Sequence, residues 1–313
     1  MKKPPSATAD KSIRHLSWSV KSEWAEHLAS IAASAVTAEI SLTPKPGLVD
    51  TAGSGCNDDM DFDMFMKSAD AIVPFWKEQA QCGLDGTPVS DALPRLRENG
   101  LKMECAMFEA TGGVNTHKGL IYLMSLLLYG AGACVCSGEK LCPENAVKFA
   151  ALAADGTVED ELEPLSVQII ERKLSHGETL YLEHGITGIR GEAERGFPSV
   201  MRSGLPELEL ACEAGAPENA AQISALLAIM EVCEDSNVMH RGGFDFWRGE
   251  YRRLVKRAAE KFDPCDADYD VITELERAFI PKRINPGGAA DLLCCTIFLH
   301  LISKNVNLGH LLF

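Results

Sequence analysis

Apolar positions recur along this chain mostly at three- and four-residue steps, and stretches that alternate apolar with polar residues are few and short. That period lets an α-helix keep one face on a core. Within 18–40, Trp24, Leu28, Ile31, Ala32, Val36 and Ile40 share one side, and Pro44 and Pro46 stop the helix because neither can donate a backbone hydrogen bond. The same spacing predicts helices over 61–80, 90–110, 116–128, 146–153, 165–174, 218–230, 246–262, 268–279 and 289–301. Ser90 after Pro88 marks the start of the third, where Pro94 is tolerable only near the first turn. The expected fold class is all-α: a single compact multi-helix domain over 18–313, preceded by a tail over 1–17. No repeat interval or linker divides it.

Between the apolar helices lie polar segments containing glycine, at 43–63, 111–119, 185–198, 235–245 and 281–291. They read as loops presented by a helical scaffold, where active-site residues are commonly carried. Composition narrows the choice. With 313 residues, 46% hydrophobic and 24% charged, the chain is globular and long enough for a sizeable core. Its net charge of -15 argues against a nucleic-acid binder, whose surface must be basic. A small anionic substrate stays compatible, because a few cations or a bound metal can reverse the field inside a pocket. The eleven cysteines contain no CxxC pair, and most read as reduced, small buried side chains. The stretch 13–20 is too short and polar for a signal-peptide core, and 120–128 falls short of a membrane span. The expectation is a cytoplasmic protein with no membrane partner.

Five constellations carry candidate chemistry. Asp58, Asp59, Asp61 and Asp63 crowd four carboxylates together, either around a magnesium ion with phosphate oxygens or as a solvated helix start. Gly112 and Gly113 lead through Asn115, Thr116, His117, Lys118 and Gly119 into an apolar helix, which is an anion-binding helix start or a plain glycine-rich one. It is not a Walker A loop, since Gly119 follows Lys118 where that motif needs Ser or Thr. Arg190 sits beside Glu192 and Glu194: a phosphate clamp with a metal ligand or proton acceptor, or a surface ion-pair segment. Asp235 to Gly243 joins acid, amide and base, with Arg241 before paired glycines; a capped helix end is the alternative. Asn285-Pro286-Gly287-Gly288-Ala289-Ala290-Asp291 opens the last helix, with Asp291 either complementing its start or ligating metal.

Taken in order, the stretches Pro44-Lys45-Pro46-Gly47-Leu48-Val49-Asp50, Asp59-Met60-Asp61, Gly113-Val114-Asn115-Thr116-His117-Lys118-Gly119, Gly188-Ile189-Arg190-Gly191-Glu192-Ala193-Glu194, Arg241-Gly242-Gly243 and Asn285 to Asp291 resemble the triphosphoribosyl-dephospho-coenzyme A synthase family. Its members help make the prosthetic group of citrate lyase or malonate decarboxylase. The resemblance spans roughly 25–302. It implies an all-α enzyme that moves the triphosphoribosyl part of ATP to the 2′-hydroxyl of 3′-dephospho-coenzyme A and releases adenine. One departure is visible: relatives often carry a histidine shortly before Asp-Met-Asp, where this chain reads Gly55-Cys56-Asn57-Asp58. Asn57 can hydrogen-bond there but cannot titrate usefully.

The inventory supplies what that reaction needs. Lys45, Asn115, Thr116, Lys118, Arg190, Arg241 and Asn285 are candidates to bind ATP. Asp59, Asp61, Asp235 and Asp291 are candidates for Mg2+. Glu192 or Glu194 is the candidate base for the attacking hydroxyl, and His117 the candidate acid for departing adenine or a phosphate ligand. A metal-dependent nucleotide hydrolase could use nearly the same loops, and a non-catalytic helical nucleotide-binding protein would bind without releasing adenine. The oligomeric state is open.

Overall fold

The computed structural model describes residues 16–166, 172 and 174–305. Among the described residues there is no strand, only an isolated bridge between Asp50 and Gly53. The helices are α1 Trp18–Ser41, α2 Phe62–Ile72, α3 Trp76–Leu84, α4 Val89–Thr111, α5 Lys118–Ser137, α6 Pro143–Ala154, α7 Thr157–Glu161 and α8 His176–His184. They continue with α9 Gly188–Glu194, α10 Leu205–Glu213, α11 Glu218–Val232, α12 Ser236–Gly242, α13 Phe244–Phe246, α14 Arg252–Lys261, α15 Asp270–Phe279 and α16 Gly287–Asn305. The all-α reading therefore holds. Of the expected tail, residues 1–15 lie outside the described ones, while the Ser17 hydroxyl caps α1 by accepting from Val20 N–H.

Differences from the expected elements have local causes. The span 61–80 divides at Val73–Phe75, a 3-10 turn holding Pro74, because proline removes a helical donor. The segments over 185–198 and 235–245 contain the short helices α9 and α12, too brief to show a period in sequence. The helix expected at 165–174 lies largely outside the described residues; Glu163–Ser166 forms a 3-10 turn.

At the centre, α5 packs against α1, α3, α4, α6, α9 and α16. Two of its glycines make this possible. A Cβ at Gly130 would collide with the Ala146 carbonyl of α6, and one at Gly132 with the Ala80 carbonyl of α3. The glycines give up helix propensity for a close backbone approach on both sides. The helix runs past the expected end near Leu128 to Ser137, so its 20 residues, with mean hydropathy 1.9, are long and apolar enough to cross a membrane. The segment Gly287–Lys304 passes the same test. Both are mainly buried inside the fold, 78% and 61% of the windows, as core helices are. All eleven cysteines are free thiols, seven of them buried.

Candidate active site

The helices bring four of the polar segments to one place. In the connection from α1 to α2, the Asp50 carboxylate accepts from Thr43 Oγ1–H (2.8 Å), Lys45 N–H (3.0 Å), Ala52 N–H (2.8 Å) and Gly53 N–H (3.0 Å), which folds the chain back on itself. Gly47 has φ +76°, and a Cβ there would collide with the Ile284 carbonyl oxygen, so the turn against 281–291 requires glycine. Lys45 Nζ, turned inward and 3% exposed, donates to both Glu39 Oε1 and the Glu39 carbonyl at 2.7 Å.

The second segment leaves α4 through Gly112 and Gly113, both at positive φ. Asn115 Oδ1 accepts from Lys118 N–H at 3.2 Å at the start of α5. His117 is buried, its Nδ1 lies 2.7 Å from Ser68 Oγ, and the edge of Phe65 covers its ring. Nε2 has no protein partner. Burial, and then the Lys45 charge, push the imidazole from 6.5 down to about 3, so it is neutral at physiological pH.

Asn57 joins the remaining two. Its Oδ1 accepts from Arg241 Nη2 (2.9 Å) and Asn285 Nδ2 (2.7 Å), while its own amide donates to the Ser54 carbonyl (3.0 Å). Arg241 Nη1 donates to the carbonyls of Cys56 (3.0 Å) and Arg283 (2.9 Å). These partners are uncharged oxygens, so they hold the guanidinium without neutralising it. The departure noted at Asn57 thus has a structural use, since an amide can accept from both neighbours at once.

These parts line a cavity of about 530 Å³, within the roughly 300–1,000 Å³ common for small-molecule sites. Nine of the fourteen candidate residues reach its wall: Lys45, Asp59, Asn115, Thr116, His117, Lys118, Arg241, Asn285 and Asp291. Lys118 is half exposed and pairs with Glu104 at 2.8 Å. Asp291 is pushed well above the ordinary carboxylate range by burial and then by Glu39 and Asp235.

The other five are occupied elsewhere. Asp61 Oδ1 caps α2 by accepting Met64 N–H, so within the acidic run Asp59 alone lines the cavity, and Asp58 pairs with Arg283. Asp235 is 1% exposed and accepts from Asn237 N–H, Val238 N–H and Ala289 N–H, joining the starts of α12 and α16. Glu192 accepts from Ser199 N–H (2.7 Å) and Ser199 Oγ–H (3.0 Å). Glu194 accepts from Gly156 N–H (3.0 Å) and Val158 N–H (3.2 Å) at the start of α7. Arg190 pairs with Glu161 at 2.7 Å. Neither glutamate lines the cavity that holds the other nine candidates.

Glu39 and His176 line the cavity without having been singled out in the sequence, and Asn237 and His240 join them from the segment Asp235 to Gly243. Glu39 carried a signal: a charge next to Ile40 and three residues from Val36, on the apolar side of α1. The two histidines stack, ring centroids 3.4 Å apart and 15° from parallel, a pairing no local pattern announces.

A second cavity, of about 630 Å³, adjoins the first and shares Asn115, Lys118, Gly119, His176, Asn237 and Asp291 with it. Arg190 and Arg97, both bonded to Glu161, lie on its wall.

A helical bundle that gathers an uncompensated arginine, neutral donors and buried carboxylates around a polar cavity has the build of an enzyme for a small anionic substrate. Comparison with known sequences makes that specific. The chain belongs to the CitG family, ATP:dephospho-CoA triphosphoribosyl transferase, whose sequence model matches residues 25–309. It is 36% identical over 292 residues to the 2-(5″-triphosphoribosyl)-3′-dephosphocoenzyme-A synthase of Pectobacterium atrosepticum, covering 91% of this chain and 94% of that protein. Two proteins named as probable enzymes of that kind are also similar. The one from Streptococcus equi subsp. equi is 32% identical over 298 residues, 90% of this chain and 98% of its own. The one from Vibrio cholerae is 34% identical over 286 residues, 88% of each. No solved structure matches the chain.

Proposed function

We propose that this transferase moves the intact 5-triphosphoribosyl group of ATP to the 2′-hydroxyl of 3′-dephospho-coenzyme A, releasing adenine, to make the prosthetic-group precursor of citrate lyase or malonate decarboxylase. The observation that carries the reading is Arg241, held on three neutral oxygens with its charge left for an anion in a cavity that also contains Lys118. Asn115, Thr116 and His117 add neutral hydrogen-bonding groups. When Ser68 donates to Nδ1, Nε2 carries the His117 proton and can donate to a phosphate oxygen. A ring held neutral in this way suits binding better than release of a proton, so His117 is assigned to the triphosphate. Lys45, tied to Glu39, orders the wall behind it.

Among the described residues no three His, Cys, Asp or Glu side chains converge as a ready metal site. Magnesium that arrives with a triphosphate needs only one or two carboxylates, and Asp59 on the cavity wall fits that need. Such an ion would neutralise triphosphate charge. For the proton, the geometry favours Asp291, which lies on both cavity walls. Its raised affinity for a proton lets the carboxyl protonate adenine as the C1′–N9 bond breaks. The carboxylate left behind stabilises positive charge developing on the ribose and then takes the proton of the 2′-hydroxyl as the C1′–O2′ bond forms. One proton enters adenine, one returns to Asp291, and the triphosphate is untouched.

The test is adenine release from ATP by the purified chain with magnesium, with and without 3′-dephospho-coenzyme A, while mass spectrometry follows the acceptor. Acceptor-dependent adenine and a triphosphoribosyl adduct are expected. Phosphate release without an adduct would make it a hydrolase, and binding with neither product a nucleotide-binding protein. Two cytoplasmic metabolites as substrates, and eleven free thiols, support a cytoplasmic location.

A further inference from the structure

We infer that the second cavity is the seat of the acceptor, so that the wall formed by Gly119, Asn237 and Asp291 is where the two nucleotides meet; this rests on the transferase reading above. Transfer without a covalent enzyme intermediate requires both substrates to be bound at once, with the acceptor oxygen in contact with the ribose carbon. A cavity sharing a wall with the triphosphate site meets that requirement. The two volumes of about 530 and 630 Å³ share Asn115, Lys118, Gly119, His176, Asn237 and Asp291.

The two linings differ in the way the two substrates differ. The first cavity alone contains Arg241, whose charge is unpaired, with Lys45 tied to Glu39 and the polar residues Thr116 and His117 before α5. The second is walled largely by the apolar sides of α4, α5 and α9, through Leu96, Leu101, Ile121, Leu126 and Ile189. Leu101 is 62% exposed, an apolar side chain of α4 kept at a surface position. Such a surface suits the long, uncharged pantetheine arm and an adenine ring. The charges there are organised in pairs: Lys118 meets Glu104, Glu178 meets Arg172, and Arg97 and Arg190 share the one carboxylate of Glu161, so that last cluster leaves a positive charge for a diphosphate. Three phosphates fit the first lining, and a diphosphate with a neutral tail fits the second.

Gly100 allows a direct test. It lies in α4 on the wall of the second cavity, and a Cβ there would meet only Ile121 Cγ2, at 3.7 Å. A larger side chain would extend into the cavity. Calorimetry on the full chain would measure ATP and 3′-dephospho-coenzyme A separately in wild type, Gly100→Leu and Leu101→Asp, with melting temperatures to confirm folding. Leu101→Asp is the safeguard, because an exposed site accepts Asp without burying a charge. Both variants should weaken 3′-dephospho-coenzyme A at least about tenfold, the effect of removing or obstructing one well-placed apolar group, and leave ATP within about twofold. Unchanged acceptor affinity in a folded variant, or a parallel loss of ATP, would overturn the assignment. Wild type that binds both nucleotides yet releases no adenine would count against the reaction, and the variant affinities would still decide the cavity. Wild type that binds no acceptor would overturn both.

Discussion

Replacing His117 by Gln removes an imidazole that the fold keeps neutral far below its ordinary range, and the consequence is readable as stability against pH. The ring is buried and beside the Lys45 charge, so its proton affinity falls from 6.5 to about 3. The unfolded chain takes up that proton as pH drops through 6.5, whereas the folded chain refuses it until about 3. The stabilisation is therefore complete above 6.5 and is lost as pH falls. Each pH unit in that window costs about 1.4 kcal/mol. At about pH 4.5 wild type should have lost about 2.7 kcal/mol through this group alone, and His117→Gln should lose none of it. Urea unfolding of both proteins across pH 7.5 to 4.5 isolates the effect, because carboxylates that titrate in both cancel in the difference. The gap between the two curves should close by that amount, or reverse, as acid is added. A gap that stays constant, or a His117 imidazole resonance that titrates near 6.5 in the folded protein, would refute the reasoning. It would also remove the basis for treating His117 as a neutral donor to phosphate.

Three further outcomes test other parts of the site. A Cβ at Gly119 would collide with Asp291 Oδ2, so Gly119→Ala should displace that carboxyl and lower the rate of adenine release roughly a hundredfold, as misplacement of a reacting group does; an unchanged rate would remove Asp291 from the chemistry. Lys45→Met should leave Glu39 buried without its partner and cost about 3–5 kcal/mol in urea unfolding, whereas Lys45→Met with Glu39→Leu should recover most of it. Glu194→Gln should lower the melting temperature, because it weakens the acceptor for Gly156 and Val158 N–H, while triphosphoribosyl transfer stays within about twofold, the margin expected of a residue outside the reaction; a rate loss of two orders of magnitude would restore it as the base.

Helices were legible in the chain where they are long and one-sided. The period of apolar residues carries α1, α4 and α15, because a buried face repeats every three or four positions whatever it packs against, while α11 and α16, buried on nearly all sides, show as apolar runs. The turn chemistry was legible too: glycine and proline mark the exits from α1 and α4, and the glycine of Pro44-Lys45-Pro46-Gly47 is demanded by a positive φ and the Ile284 carbonyl. In the same way, the residue types around 45, 115–118, 241 and 285 pointed to anion binding, since a phosphate needs such donors wherever they lie, and the fold gathers them on one cavity wall.

Which of those groups remain available to a ligand was decided by the tertiary structure. Asp59 and Asp61 are two residues apart, yet one lines the cavity and the other is consumed as a helix cap. Glu192 and Glu194 resemble a catalytic pair in sequence but saturate Ser199 and the start of α7. Asp235 bonds Ala289 across 54 positions, Arg241 reaches Cys56 across 185, and Asn285 reaches Asn57 across 228. A sequence enumerates donors, acceptors and charges. Whether each is buried, neutralised or left free depends on partners the fold brings from far along the chain, and the free energy of a buried polar group is set by those partners rather than by its neighbours in sequence.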